Sequence, residues 1–132
     1  MNWKLIFALS LFGLAMALLT IAWIPTSAEP FFWIAIFVLC GYHLAKRAPG
    51  KLFLHGFLTS MINSVWITGA HVAAFATYMT HHPEMAVMNA GPLAHHPRVL
   101  MLFVGPCIGA ASGLVLGLIT WILGRILRSG QQ

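Results

Sequence analysis

The stretch VLMLFVGPCIGAASGLVLGLITWILGRIL, residues 99–127, decides the fold. Its only charged residue is Arg125, and glycine recurs at every fourth position as Gly105, Gly109, Gly113 and Gly117. A helix of about 20 apolar residues crosses the ~30 Å hydrocarbon core of a bilayer. This stretch is longer than that, and a helix satisfies its own backbone polar groups where water cannot. Positions four apart are rotated by about 40° around a helix axis, so the four glycines form one slowly winding groove. In lipid, helices associate through small residues that let backbones approach. The simplest expectation for this glycine zipper is a neighbouring helix of the same chain. A homo-oligomer built through the glycine face of this fourth helix is the alternative, and a glycine-lined pore a third. Pro106 either opens the helix or bends it near one end.

Working towards the N-terminus, three more apolar stretches appear. Residues 3–24 end at Pro25-Thr26-Ser27-Ala28-Glu29-Pro30, and residues 31–45 end at Lys46-Arg47-Ala48-Pro49-Gly50-Lys51. Residues 52–79 form the third. The expected fold is an all-α integral-membrane four-helix bundle. It is a single domain over residues 1–132, with spans 3–24, 31–45, 52–79 and 99–127 and an outer loop 80–98. Composition agrees: 60% of residues are hydrophobic and 7% charged, against about 25% charged in soluble domains. A soluble chain this small could not hide so much apolar surface. The second stretch is short, but Lys46 and Arg47 can snorkel their stems along it. The third, helical throughout, would be about 42 Å long at ~1.5 Å per residue; tilting or projection beyond the bilayer is expected. Lys4, the first apolar run and Thr26-Ser27-Ala28 also suit a cleaved signal peptide, but the run exceeds a typical signal core and favours a retained span.

Charge sets the orientation. Lys4, Lys46, Arg47, Lys51, Arg125 and Arg128 fall on one side of a four-span chain, whereas Arg98 lies opposite with Glu29 and Glu84. The positive-inside rule puts both termini and the 46–51 turn in the cytoplasm. The expected location is a bacterial inner membrane. Trp3, Trp23, Trp33, Tyr78 and Trp121 sit near span ends, as interfacial aromatics do. The net charge of +5 therefore reflects topology and anionic head groups rather than nucleic acid. Cys40 and Cys107 both lie in apolar segments and imply no disulfide framework.

Three groups of residues are candidates for chemistry. On the third span, Ser60, Asn63, Ser64, Thr68 and His71 make a polar seam that must face helices or water, not acyl chains. It serves either as packing or as a small cavity for a ligand, solute or proton; no carboxylate accompanies it, which argues against proton coupling. In the outer loop, His81, His82, His95 and His96 recur as two His-His-Pro units with Met85 and Met88 nearby. Imidazole with thioether suits copper, and imidazole with carboxylate suits zinc. Adjacent histidines on a helix do not share a face, however, and His-x-x-x-His and Cys-x-x-Cys spacings are absent. His43 and His55 bracket the cytoplasmic turn, where two histidines on neighbouring helices can ligate haem; nothing else in the chain calls for haem. No catalytic constellation or phosphate-cradling glycine loop is present, so no enzyme activity is expected.

The sequence thus points to a non-enzymatic packing or accessory component of the bilayer. An outward-facing copper- or zinc-binding or transport component is the alternative. A narrow pore or small-solute carrier through the His71 seam is a third possibility.

Overall fold

The computed structural model describes residues 1–92 and 94–129, with the side chains of Met88 and Asn89 outside the description. The chain is all-α, with no strand among the described residues. Five α-helices run in order: α1 Trp3–Ala22, α2 Glu29–Arg47, α3 Leu52–Ala73, α4 Phe75–His81 and α5 Pro97–Ser129, with a 3₁₀ turn at Pro83–Asn89 before α5. By length and composition α1 and α5 are apolar enough to cross a membrane. The polar seam of α3, and the charged and polar ends of α2, make those two helices less apolar.

Local chemistry explains the boundaries. The Asn2 side chain caps α1 by accepting from the Leu5 amide at 3.2 Å, which satisfies one otherwise orphaned helix donor. In α2, Glu29 and Pro30 occupy the first turn and Lys46 and Arg47 the last, as the helix dipole favours. Gly50 and Lys51 both take positive φ, +150° and +47°; Gly50 makes that turn inexpensive. Each His-His-Pro unit marks a helix boundary. Pro83 opens the 3₁₀ turn and Pro97 opens α5, where a missing amide donor costs nothing.

Two expectations about helices need correction. The third stretch is not one helix over 52–79, because the backbone breaks at Ala74 (φ −100°, ψ 31°) and restarts as α4. The stretch is thus two helices, α3 and α4, rather than a single rod. Pro106 does not open the fourth helix; it sits inside α5.

Three pairings set the arrangement. Helix α1 runs parallel to α3, with Gly13 against Asn63 and Thr20 bonded to His71. Helix α5 runs antiparallel to α3: Gly105, Gly109, Gly113 and Gly117 meet Thr68, Ser64, Phe57 and Phe53 in turn. Helix α2 lies parallel to α5, with Gly41 against Ile119. The glycine face is therefore covered by α3 of the same chain. Gly56 returns the favour from α3, since a Cβ there would stand 2.6 Å from the Leu116 carbonyl oxygen and 2.8 Å from Gly117 Cα.

Up-down connectivity collects Lys4, Lys46, Arg47, Lys51, Arg125 and Arg128 at one end, the basic end. Glu29, Glu84 and Arg98 lie at the other, the acidic end. An apolar cluster of Leu9, Met16, Ile36, Cys40, Leu44 and Leu116 packs between α1, α2 and α5. Polar side chains are buried beside the apolar core, and large apolar side chains are exposed. Ser10, Thr20, His55, Thr59, Ser60, Asn63, Ser64 and Thr120 are buried. Leu11, Leu18, Phe31, Ile34, Val38, Val65, Phe103, Leu118 and Ile126 face outward from all four long helices.

Candidate functional site

The half of the bundle nearer the acidic end is hollow. A cavity of about 430 Å³ lies among all four long helices. Ala17 and Thr20 of α1, Trp33 and Phe37 of α2, and Val104, Ile108 and Gly109 of α5 form three sides. Helix α3 supplies the fourth, and all five seam residues, Ser60, Asn63, Ser64, Thr68 and His71, are on that wall. Their spacing on one helix face puts them there, and the α5 glycines let the α3 backbone approach closely enough to close the wall.

Most of the seam is internally satisfied. The Ser60 hydroxyl pairs with the Ser112 hydroxyl at 2.8 Å, and Ser64 donates to the Met61 carbonyl at 2.8 Å. His71 Nε2 pairs with the Thr20 hydroxyl at 3.0 Å. Asn63 is different. It is 2% exposed, and neither its amide nitrogen nor its amide oxygen has a partner among the described residues. Flipping the amide changes nothing, because both atoms are orphaned.

Above His71 a ladder of rings closes the acidic end. His71 stacks on Tyr78 with centroids 4.1 Å apart, and Tyr78 stacks on His82 at 4.6 Å. His82 is 1% exposed. Its Nε2–H donates to the Thr20 carbonyl at 2.5 Å, one of the last carbonyls of α1 and so without an intrahelical donor. Its Nδ1 faces the Thr26 hydroxyl at 2.9 Å and Glu84 Oε1 at 3.3 Å. The Thr26 hydroxyl donates to the same Glu84 oxygen. That bond, with help from His82, holds the Glu84 carboxyl below the usual carboxylate range. Glu29, at the cavity's outer rim, is shifted the other way: burial raises it, against a lowering by His82.

Comparison of the chain with known protein families, curated proteins and solved structures finds no match.

The histidines proposed from sequence as metal ligands sit in different surroundings. His82 is turned inward as described, while His81 is exposed and donates from Nδ1 to the Thr77 carbonyl of its own helix at 2.9 Å. His95 and His96 are exposed near the start of α5. Met85 lines the cavity, and the side chain of Met88 lies outside the described residues. Among the described residues, no three of His, Cys, Asp and Glu are grouped to hold a metal ion. At the basic end, His55 has both ring nitrogens engaged: Nδ1–H donates to the Lys51 carbonyl at 3.1 Å, and Nε2 accepts from the Asn2 amide at 3.0 Å. It ties the start of α1 to the start of α3, with neither ring nitrogen left over for a haem iron.

Several site residues are not singled out as functional by the sequence. Thr26 and Glu29 sit in a breaker run that reads only as a turn. Gly13, Ala17 and Thr20 lie on a small-residue stripe that reads as packing. That stripe is the available signal, since a helix facing a polar seam must itself be small or polar there.

Proposed function

We propose that this chain is a four-span protein of the bacterial cytoplasmic membrane that binds a small molecule inside its bundle, without catalysing a reaction on it. α2 and α3 join α1 and α5 as spans because the apolar exterior continues over them, through Phe31, Ile34, Val38 and Val65. An exterior of this kind belongs in hydrocarbon, with polar side chains turned inward. The basic end faces the cytoplasm, as the positive-inside rule requires. The single observation that carries the functional reading is the cavity: its volume falls in the range of small-molecule sites, and its walls are mostly apolar with a few converging polar groups.

A metal-binding role is less well supported, because no three of His, Cys, Asp and Glu are grouped among the described residues and His81 and His82 are already hydrogen-bonded. Carriage of the bound molecule across the bilayer is an extension of the same reading. It predicts flux in liposomes, whereas a binding component shows none.

Val104→Trp tests the reading. Val104 lines the cavity from α5 but is not part of the seam, so an indole there takes up space without removing a hydrogen bond. Purified protein in lipid nanodiscs should bind small neutral aromatic probes (toluene, indole, benzamide) saturably, and Val104→Trp should weaken that binding at least tenfold. If no probe in the set saturates, or if Val104→Trp binds like the parent, the cavity is not a ligand site.

A further inference from the structure

We infer that the molecule held in this cavity carries a neutral, planar group with a hydrogen-bond donor and acceptor side by side, such as a carboxamide or lactam, and that Asn63 pairs with it. The inference rests on the cavity being a binding site and names the chemistry that site selects.

The argument starts from a cost. A buried polar group without a partner loses about 1–3 kcal/mol, and Asn63 buries two such atoms, one donor and one acceptor. A leucine of similar size would avoid that cost, so the amide adds nothing to the packing of the helices themselves. The fold nevertheless makes room for it. Across from Asn63 stands Gly13, where a Cβ would lie 2.6 Å from Asn63 Oδ1 and 2.8 Å from Asn63 Cγ. Any other residue at position 13 would push the amide out of place.

The neighbours are not free to answer it. Ser60 is paired with Ser112, Ser64 with a carbonyl of its own helix, and His71 with Thr20. The unanswered groups are therefore an adjacent N–H and C=O in one plane, and their complement is an adjacent C=O and N–H. Two parallel bonds of that kind fix orientation as well as position. The remaining wall, including Ile67, Phe37, Trp33 and Val104, is apolar or aromatic. It suits a hydrocarbon or ring body attached to the polar head.

The head is neutral for a physical reason. Helix α3 from Ser60 to Thr68, and the parts of α1, α2 and α5 facing it, present no Asp, Glu, Lys or Arg. The titratable groups lining the cavity are His71 on α3, two turns further on, Tyr78 on α4 beyond it, and Glu29 on α2, at the outer rim. An ionised head at Asn63 would be buried without a counter-charge, which costs far more than an unmet hydrogen bond.

A matched set of fluorinated probes tests this by ¹⁹F NMR titration of the protein in nanodiscs. 4-Fluorobenzamide offers both groups, 4-fluoro-N,N-dimethylbenzamide the acceptor alone, 4-fluorotoluene neither, and 4-fluorobenzoate a charge. The parent should bind the benzamide at least tenfold more tightly than the other three. In Asn63→Leu that advantage should shrink to less than threefold while 4-fluorotoluene still binds, and the thermal midpoint of the variant should not fall. Gly13→Ala, which displaces the amide without removing it, should also reduce the preference. A benzamide no tighter than fluorotoluene in the parent would mean that water already satisfies Asn63, and would overturn the inference. So would a preference that survives both substitutions. In either case saturable fluorotoluene binding sensitive to Val104→Trp would leave the cavity a site, whereas no saturation by any probe would remove the site itself.

Discussion

Replacing Gly56 by Leu should prevent assembly of the bundle. A Cβ at this position would meet the Leu116 carbonyl, Gly117 Cα and the Thr120 hydroxyl, all within 2.8 Å. Two of those three atoms belong to the α5 backbone and cannot swing aside as a flexible side-chain tip would. The helices would have to separate along the whole seam where Gly109, Gly113 and Gly117 meet Ser64, Phe57 and Phe53. Overpacking a core typically costs about 1–3 kcal/mol and occasionally more; backbone contact on two sides puts this case at or above the upper end. The expected result is loss of the monodisperse species in detergent, or a fall of the thermal midpoint by ten degrees or more. Gly69→Leu is the control, because nothing lies within 4 Å of a Cβ at Gly69. Equal behaviour of the two variants would mean that α3 and α5 are not in contact as described.

The second large effect concerns the ring ladder. His82→Ala removes the donor to the Thr20 carbonyl, the contact with Thr26 and Glu84, and the ring stacked on Tyr78. A buried carbonyl left without its donor and a cavity the size of an imidazole should together cost about 3 kcal/mol. The variant should therefore unfold well below the parent, with the loss confined to the acidic end and the His55 tie at the basic end intact. Hydrogen exchange resolved along the chain would show whether it is. The same cluster makes stability depend on acidity. Because the Glu84 carboxyl is held below its ordinary value, its contribution is present above the ordinary carboxylate range near pH 4.5 and is lost as the pH falls through the folded-state value. Glu29, raised by burial, acts oppositely: its ionisation disfavours the fold, so acid relieves it. The comparison of Glu84→Gln with the parent isolates the first term. The variant should lose less stability than the parent on going from neutral pH to below pH 4. An identical acid response in both proteins would mean that the Thr26–Glu84 bond does not form.

How much of this was legible from residues alone depends on where the information is local. Helix content and the break points at Pro25, Pro49 and Pro97 follow from composition and punctuation, which act within a few residues. The seam was legible for the same reason, since Ser60, Asn63, Ser64, Thr68 and His71 share one face at helical spacing. What could not be read was what that face looks at. Whether Gly109 packs on α3 or on a second chain depends on a contact between residues some fifty positions apart. The break at Ala74 lies in an apolar, helix-favouring context with no glycine or proline to mark it. His82 shows the limit most clearly. Beside His81 it looks like half of a metal-binding pair, yet one residue faces solvent and the other caps α1 from across the bundle. Adjacent positions on a helix point about 100° apart, so the pair was never a unit; only the fold shows which of the two turns inward.

Cysteine accessibility in intact cells tests the central claim, that the bundle crosses the bilayer with its basic end inside. With Cys40 and Cys107 replaced, single cysteines at Ser27 and His95 mark the acidic end and one at Lys51 marks the basic end; all three positions are exposed. A membrane-impermeant maleimide should label Ser27→Cys and His95→Cys from outside, and Lys51→Cys only after lysis. Labelling of Lys51→Cys in intact cells, or equal labelling of Ser27→Cys and Lys51→Cys, would contradict it.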